Sequence, residues 1–220
     1  MDTPASKPYL ANITALLKQQ WPGNRTVNIV CHGHSVPAGY FATPTVDALN
    51  AYPHLLHVAL KRRFPFAVIN VIVTAIGGEN SESGAARFEN EVLCHRPDII
   101  TIDYGLNDRR IGLEKAREAW TRMIQAGTKA GAKMILLTPT ADNTQAPDYI
   151  GEDKNLLGEH ADQIRRLAEE NSVGLADSFT AFQRSARTHQ LSDLLSWTNH
   201  PNRRGHKLVV RELLRWFPIK

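Results

Sequence analysis

Five short apolar runs, at residues 27–31, 67–74, 98–103, 133–138 and 173–176, recur along this 220-residue chain with longer amphipathic stretches between them. Runs of that length rich in Val and Ile read as strands. Strands that alternate with helix-length segments are joined by crossovers rather than hairpins, which gives a parallel sheet with helices on both faces. The run at 67–74 is apolar at successive positions, which predicts burial on both of its faces. Helical spacing predicts helices at about residues 9–20, 47–63, 80–95, 113–130, 154–171, 177–187 and 202–216. Right-handed crossovers of this length fit one α/β domain over residues 1–220, a three-layer α/β/α, doubly wound fold on a five-stranded parallel sheet.

In such a sheet ligands bind outside the carboxyl ends of the strands. Gly33-His34-Ser35 follows the first run, Gly77-Gly78 the second, and Gly105-Leu106-Asn107-Asp108 the third. All three turns therefore emerge on one edge of the sheet. A fourth polar block, Asn199-His200-Pro201-Asn202, precedes the last helix. Acyl transfer needs a nucleophile, a base, and donors aimed at the oxyanion that forms. Ser35 supplies a hydroxyl, His200 an imidazole, and Gly78 and Asn107 supply donors. Each block also has a plainer reading: a capping serine, a glycine turn, or a helix cap at Asn107-Asp108.

Taken together and in this order, the blocks resemble the SGNH (GDSL-type) hydrolase superfamily, named for a Ser, a Gly, an Asn and a His, here Ser35, Gly78, Asn107 and His200. The resemblance spans nearly the whole chain and implies a flavodoxin-like strand order. It implies Ser35 as nucleophile, His200 as base, and an oxyanion hole of the Ser35 and Gly78 N–H groups with the Asn107 amide. Two positions depart from the family pattern. His34 stands where the first block carries an aspartate, and Trp197 stands where an aspartate precedes the histidine by three residues. Asp193, seven residues before His200, is one candidate for the third member of a triad; a main-chain carbonyl near Trp197 is the other. His34 is the competing base, disfavoured because a neighbour in sequence rarely points its ring at the serine oxygen. Tyr40, Phe41 and Trp197 are candidate walls of a substrate pocket, with Tyr40 and Phe41 equally readable as plugs over the core.

Composition narrows the remaining classes. A formal charge of +4 is mild. Arg204, Lys207, Arg211 and Arg215 recur at helical spacing as a solvated face, and no nucleic-acid motif accompanies them. No apolar run is long enough to span a bilayer, and Met1 to Ser6 lack a secretory pattern, so a cytoplasmic location is expected. Cys31 and Cys94 read as small buried residues. No metal-ligand spacing, phosphate-binding loop or other cofactor signature is present, so no cofactor is expected. The expected activity is a metal-independent serine esterase cleaving a short-chain ester, an O-acetyl group on a carbohydrate. A lipase- or thioesterase-like activity on longer acyl chains and a non-catalytic carbohydrate-binding relative are the alternatives. The expected partner is a small-molecule or saccharide ester; oligomeric state is left open.

Overall fold

The computed structural model describes residues 9–218; the amino-terminal segment read above and Lys220 lie outside them. The strands are β1 (Thr26–Gly33), β2 (Val68–Val73), β3 (Ile99–Asp103), β4 (Lys133–Leu137) and β5 (Gly174–Ala176). They form one parallel sheet in the order β2-β1-β3-β4-β5, the flavodoxin-like order. The helices are α1 (Ala11–Leu17), α2 (Ser35–Ala38), α3 (Tyr52–Arg63), α4 (Ser81–Glu91), α5 (Gly112–Lys129), α6 (Leu156–Glu170), α7 (Ser178–Ala186) and α8 (Arg203–Leu214).

Strand alternation sorts the core into two layers. Val27, Ile29 and Cys31 of β1 join Ile135 and Leu137 of β4 against α1, α3, α7 and α8. Val30 joins Ile100, Ile102, Met134 and Leu136 against α4, α5 and part of α6. Helical spacing works the same way: Leu157, Ile164 and Leu167 of α6 are all buried. Each such side chain contributes roughly 1.5–3 kcal/mol on burial, so the layers hold the strand ends, and the turns that follow them, in fixed relation.

Several expectations need correction. Among the described residues β2 is an edge strand, paired with β1 alone, and Val68 and Val73 are about half exposed. Its apolar run does not mark burial on both faces: of its six residues Ile69 alone is buried, and Val68, Asn70 and Val73 are exposed. The helix expected at 47–63 divides into a 3-10 turn, Ala48–Asn50, and α3, which leaves Leu49 exposed. The helix expected at 80–95 ends as α4 at Glu91 and continues as a 3-10 turn, so Cys94 is exposed while Cys31 is buried. The basic residues Arg204, Lys207, Arg211 and Arg215 lie on the exposed side of α8. Among the described residues no helix is long and apolar enough to cross a membrane.

Candidate active site

The turn after β1 is built on a close approach. Gly33 pairs with Asp103 of β3, and a Cβ at Gly33 would collide with the Asp103 carbonyl and lie 2.8 Å from Pro37 Cγ. Only glycine fits there. The chain then enters α2 at Ser35, and the cap is His34, whose Nδ1 accepts the Val36 N–H at 3.2 Å. That acceptance puts the lone pair on Nδ1 and the proton on Nε2. Nε2 faces Asp103 Oδ1 at 3.4 Å, without the alignment of a hydrogen bond. His34 thus serves as a helix cap where the family pattern has an aspartate. Its Nδ1 is 3.4 Å from Ser35 Oγ.

His200 makes the shorter contact, with Nε2 2.9 Å from Ser35 Oγ. Its Nδ1 lies 2.7 Å from the carbonyl oxygen of Phe41. A carbonyl only accepts, so Nδ1 carries the proton and Nε2 presents a lone pair to the serine hydroxyl. Burial pushes the imidazole below its ordinary pKa and the nearby His34 pushes in the same direction, against the Phe41 carbonyl. His200 is therefore neutral at neutral pH, the state a general base requires.

The loop that delivers His200 is tied by its own backbone. Leu195 and Pro201 form an isolated antiparallel bridge, and the Ser196 N–H donates to the His200 carbonyl at 2.9 Å. Asn202 does two things at once. Its amide nitrogen donates to the Asp193 and Leu195 carbonyls, and its amide oxygen accepts the Arg204 and Gly205 N–H groups to cap α8. From the other side, the Asn143 N–H donates to the Thr198 carbonyl at 2.7 Å, and the neighbouring Asp142 is paired with Arg109 at 2.6 Å.

Asp193 is not brought to the imidazole. It is exposed and lines a surface groove of about 310 Å³ with His189, Arg204, Lys207 and Arg211. Trp197 is 52% exposed, and the carbonyl that meets His200 is that of Phe41, not one near Trp197. Of the two placements open to Phe41, wall or plug, the ring takes the inward one: it packs on the buried His206 ring, centroids 5.2 Å apart. The Nδ1 of His206 accepts the Tyr52 N–H at 3.1 Å, which fixes His206 beneath the loop. Tyr40 does stand beside the site, its ring 6.2 Å from that of His200 and packed so closely on Gly77 that a Cβ there would lie 2.9 Å from it. The Phe41 carbonyl had no signal in the sequence, since every residue carries one.

On the opposite side of Ser35 the turn after β2 is tied to β1 by the Thr74 N–H to Cys31 O and Ile76 N–H to Gly33 O bonds, each 3.0 Å. Gly78 has a φ of +79°, a conformation that glycine adopts without strain, and open space where a side chain would be. Among the described residues its N–H makes no hydrogen bond. Asn107 donates one amide N–H to the Glu79 carbonyl at 2.8 Å. Asp108, fully buried, accepts the Ser81 N–H and the Trp120 indole N–H, both at 2.7 Å, and so fastens the start of α4 to the turn after β3. The structure thus brings Ser35 and His200 into contact and joins the Gly78 and Asn107 turns. Among the described residues no cluster of three or more His, Cys, Asp or Glu is arranged to hold a metal.

The model of the GDSL-like Lipase/Acylhydrolase family matches residues 31–208. The chain belongs to this family. Members are carboxylic ester hydrolases, and so is this GDSL-like chain. It is 28% identical over 169 residues to an acetylxylan esterase of Geobacillus stearothermophilus, across 71% of this chain and 75% of that enzyme. An uncharacterized lipoprotein of Bacillus subtilis is 30% identical over 78 residues, 32% of each chain. The crystal structure of the Geobacillus acetylxylan esterase superposes with a TM-score of 0.76 at 21% identity, covering 88% of this chain and 95% of that one. An α/β hydrolase from the metagenome of Lake Arreo superposes with a TM-score of 0.73 at 23% identity, over 87% and 94% of the two chains. Catalytic mutants of the Geobacillus enzyme replace a serine, a histidine, and an aspartate three residues before that histidine. Three residues before His200, this GDSL-like chain has Trp197.

Proposed function

We propose that this chain is a serine esterase that removes a short acyl group, an acetyl ester on a carbohydrate, through an acyl-enzyme formed on Ser35. One observation carries the reading: Ser35 Oγ is 2.9 Å from a His200 Nε2 whose lone pair is fixed by the Nδ1–H to Phe41 bond. Ser35 Oγ attacks the ester carbonyl carbon while its proton passes to His200 Nε2. The tetrahedral oxyanion is received by the N–H groups of Ser35 and Gly78 and the free N–H of the Asn107 amide. Collapse breaks the ester C–O bond, and the departing alkoxide takes the proton from His200. A water then gives its proton to His200 and attacks the acyl-Ser35 carbonyl, and the acid leaves as Ser35 recovers its proton. The Phe41 carbonyl holds the imidazole in one tautomer throughout, so the base is a Ser–His dyad with a main-chain acceptor in place of a carboxylate. The reaction needs no group beyond these residues.

Two features support a small acyl group on a saccharide. The Tyr40 ring closes down on Gly77 beside His200, which narrows the space next to the oxyanion loop. The name of the Geobacillus relative supplies the substrate class. Purified protein is expected to hydrolyse p-nitrophenyl acetate well above a Ser35→Ala control, with the rate falling from acetate to butyrate to octanoate. Acetylated xylo-oligosaccharides are expected to release acetate. A fluorophosphonate probe should label Ser35 and leave Ser35→Ala unlabelled. Labelling elsewhere, or acetate release equal to the control, would remove the assignment.

A further inference from the structure

The turn that carries Gly78 is fastened by more than its sequence block explains. Glu79, the next residue, turns its carboxylate into the core and binds Arg87 twice, Oε1 to Nε at 2.8 Å and Oε2 to a terminal nitrogen at 2.5 Å. The two side chains are only 8% and 12% exposed. The Tyr104 hydroxyl donates to Glu79 Oε2 at 2.8 Å and lies 3.1 Å from His32 Nε2. His32 Nδ1 meets the Thr74 hydroxyl at 3.0 Å, and Nε2 also meets the Gly84 carbonyl at 3.1 Å. The donors and acceptors are consistent with one assignment. Tyr104 spends its proton on Glu79, so its oxygen accepts from His32 Nε2–H, and His32 Nδ1 accepts from Thr74. Burial and the Arg87 charge hold His32 down to about 4, so the ring stays neutral. Burial and the Glu79 carboxylate push the Tyr104 phenol up, so it keeps its proton.

This chain of bonds starts on β1, crosses β3 and α4, and ends at Glu79. A buried ion pair is a poor source of stability, because desolvating both charges offsets most of their attraction. What it fixes well is direction. The fixed object is identified by the main chain: the Glu79 carbonyl is the group that accepts the Asn107 amide N–H at 2.8 Å. A carboxamide nitrogen has two N–H groups. Binding one to a rigid carbonyl commits the other to a single direction.

We propose that Glu79, anchored by Arg87, Tyr104 and His32, is a positioning residue that aims the Asn107 amide at the oxyanion. The inference rests on the esterase reading above. Two variants loosen the anchor without touching Ser35, His200 or Asn107: Tyr104→Phe removes the hydroxyl, and Glu79→Gln removes the charge. Each is expected to lower kcat by on the order of 10-fold, with KM within about threefold, because misaimed groups are felt in the transition state. Both are then repeated in an Asn107→Ala background, with melting temperatures measured throughout. If the anchor acts through Asn107, the kcat loss shrinks there to within about twofold, as coupled residues require. A loss that persists undiminished without Asn107 would show a merely structural role and overturn the proposal, as would unchanged kcat in both folded variants. Should one variant fail to fold, the other decides. Wild-type turnover no higher than that of Ser35→Ala would remove the esterase reading and this proposal together; an active wild type with insensitive variants removes this proposal alone.

Discussion

On one side of Ser35, Asn107 is held by the Glu79 carbonyl and, behind it, by an ion pair and a phenol closed off from solvent. On the other side, His200 is held by the Phe41 carbonyl and by a loop tied through main-chain hydrogen bonds and the uncharged side chains of Asn202 and Ser196. The first arrangement uses full charges at a distance from the reacting atoms; the second places only a neutral dipole against the imidazole. The consequence is an uneven division of labour. A carboxylate would both orient the ring and stabilise the imidazolium formed during attack, whereas a carbonyl orients it fully and stabilises it only in part. On the dyad mechanism proposed above, more of the transition-state stabilisation comes from the oxyanion donors.

The largest effect that tests this contrast is loss of the base. His200→Ala is expected to lower kcat by about 10⁴-fold or more, since the His34 ring, the other imidazole near Ser35, stands farther off and already accepts the Val36 N–H. Steady-state kinetics on p-nitrophenyl acetate measures it. A near-normal rate would instead make His34, 3.4 Å from Ser35 Oγ, the base. Next, Asn107→Ala should cost roughly 10²–10³-fold in kcat with little change in KM, the usual result of removing one oxyanion donor. A raised KM at unchanged kcat would mean that Asn107 binds the ground state.

Two smaller effects probe the histidine side alone. Because the His200 pKa is lowered, the base stays unprotonated into mildly acidic solution, and kcat/KM falls only as pH drops through a value below the ordinary 6.5. A pH–rate profile with its acid limb above 6.5 would indicate a carboxylate on Nδ1 and contradict the dyad. The smallest expected change is at Asp193: Asp193→Asn should leave kcat within about twofold, because its carboxylate faces the groove beside α8. A steep loss in that variant would return Asp193 to the triad.

What could be read in the sequence was whatever the chemistry assigns to side chains at strand ends. Ser35, Gly78 and Asn107 follow β1, β2 and β3, and parallel strands present their carboxyl ends together, so spacing alone brought the three turns to one edge. The strand order needed the family resemblance. Harder to read was anything decided by what lies outside a segment. The apolar run of β2 looks the same at the edge of a sheet as in its centre. His32 sits inside β1 among Val30 and Cys31, and nothing local announces that Thr74, Gly84 and Tyr104 will supply its partners. Cys94 became exposed because α4 stops one turn early. Asp193 is close to His200 in sequence, yet its main-chain carbonyl accepts the Asn202 amide and its side chain lines the groove beside α8.

The carbonyl that meets His200 Nδ1 sits six residues after Ser35, in the segment that follows α2. A carbonyl belongs to every amino acid, so no replacement at position 41 can delete it. A side-chain scan of α2 and this segment would report Ser35 and pass over the group that sets the tautomer of its partner. What would reveal it is a change in the length or path of the chain: one residue inserted or removed between Gly39 and Phe41 would shift the carbonyl by several ångströms. Drift in side-chain identity along that segment is therefore tolerated by the base, while drift in its length is not.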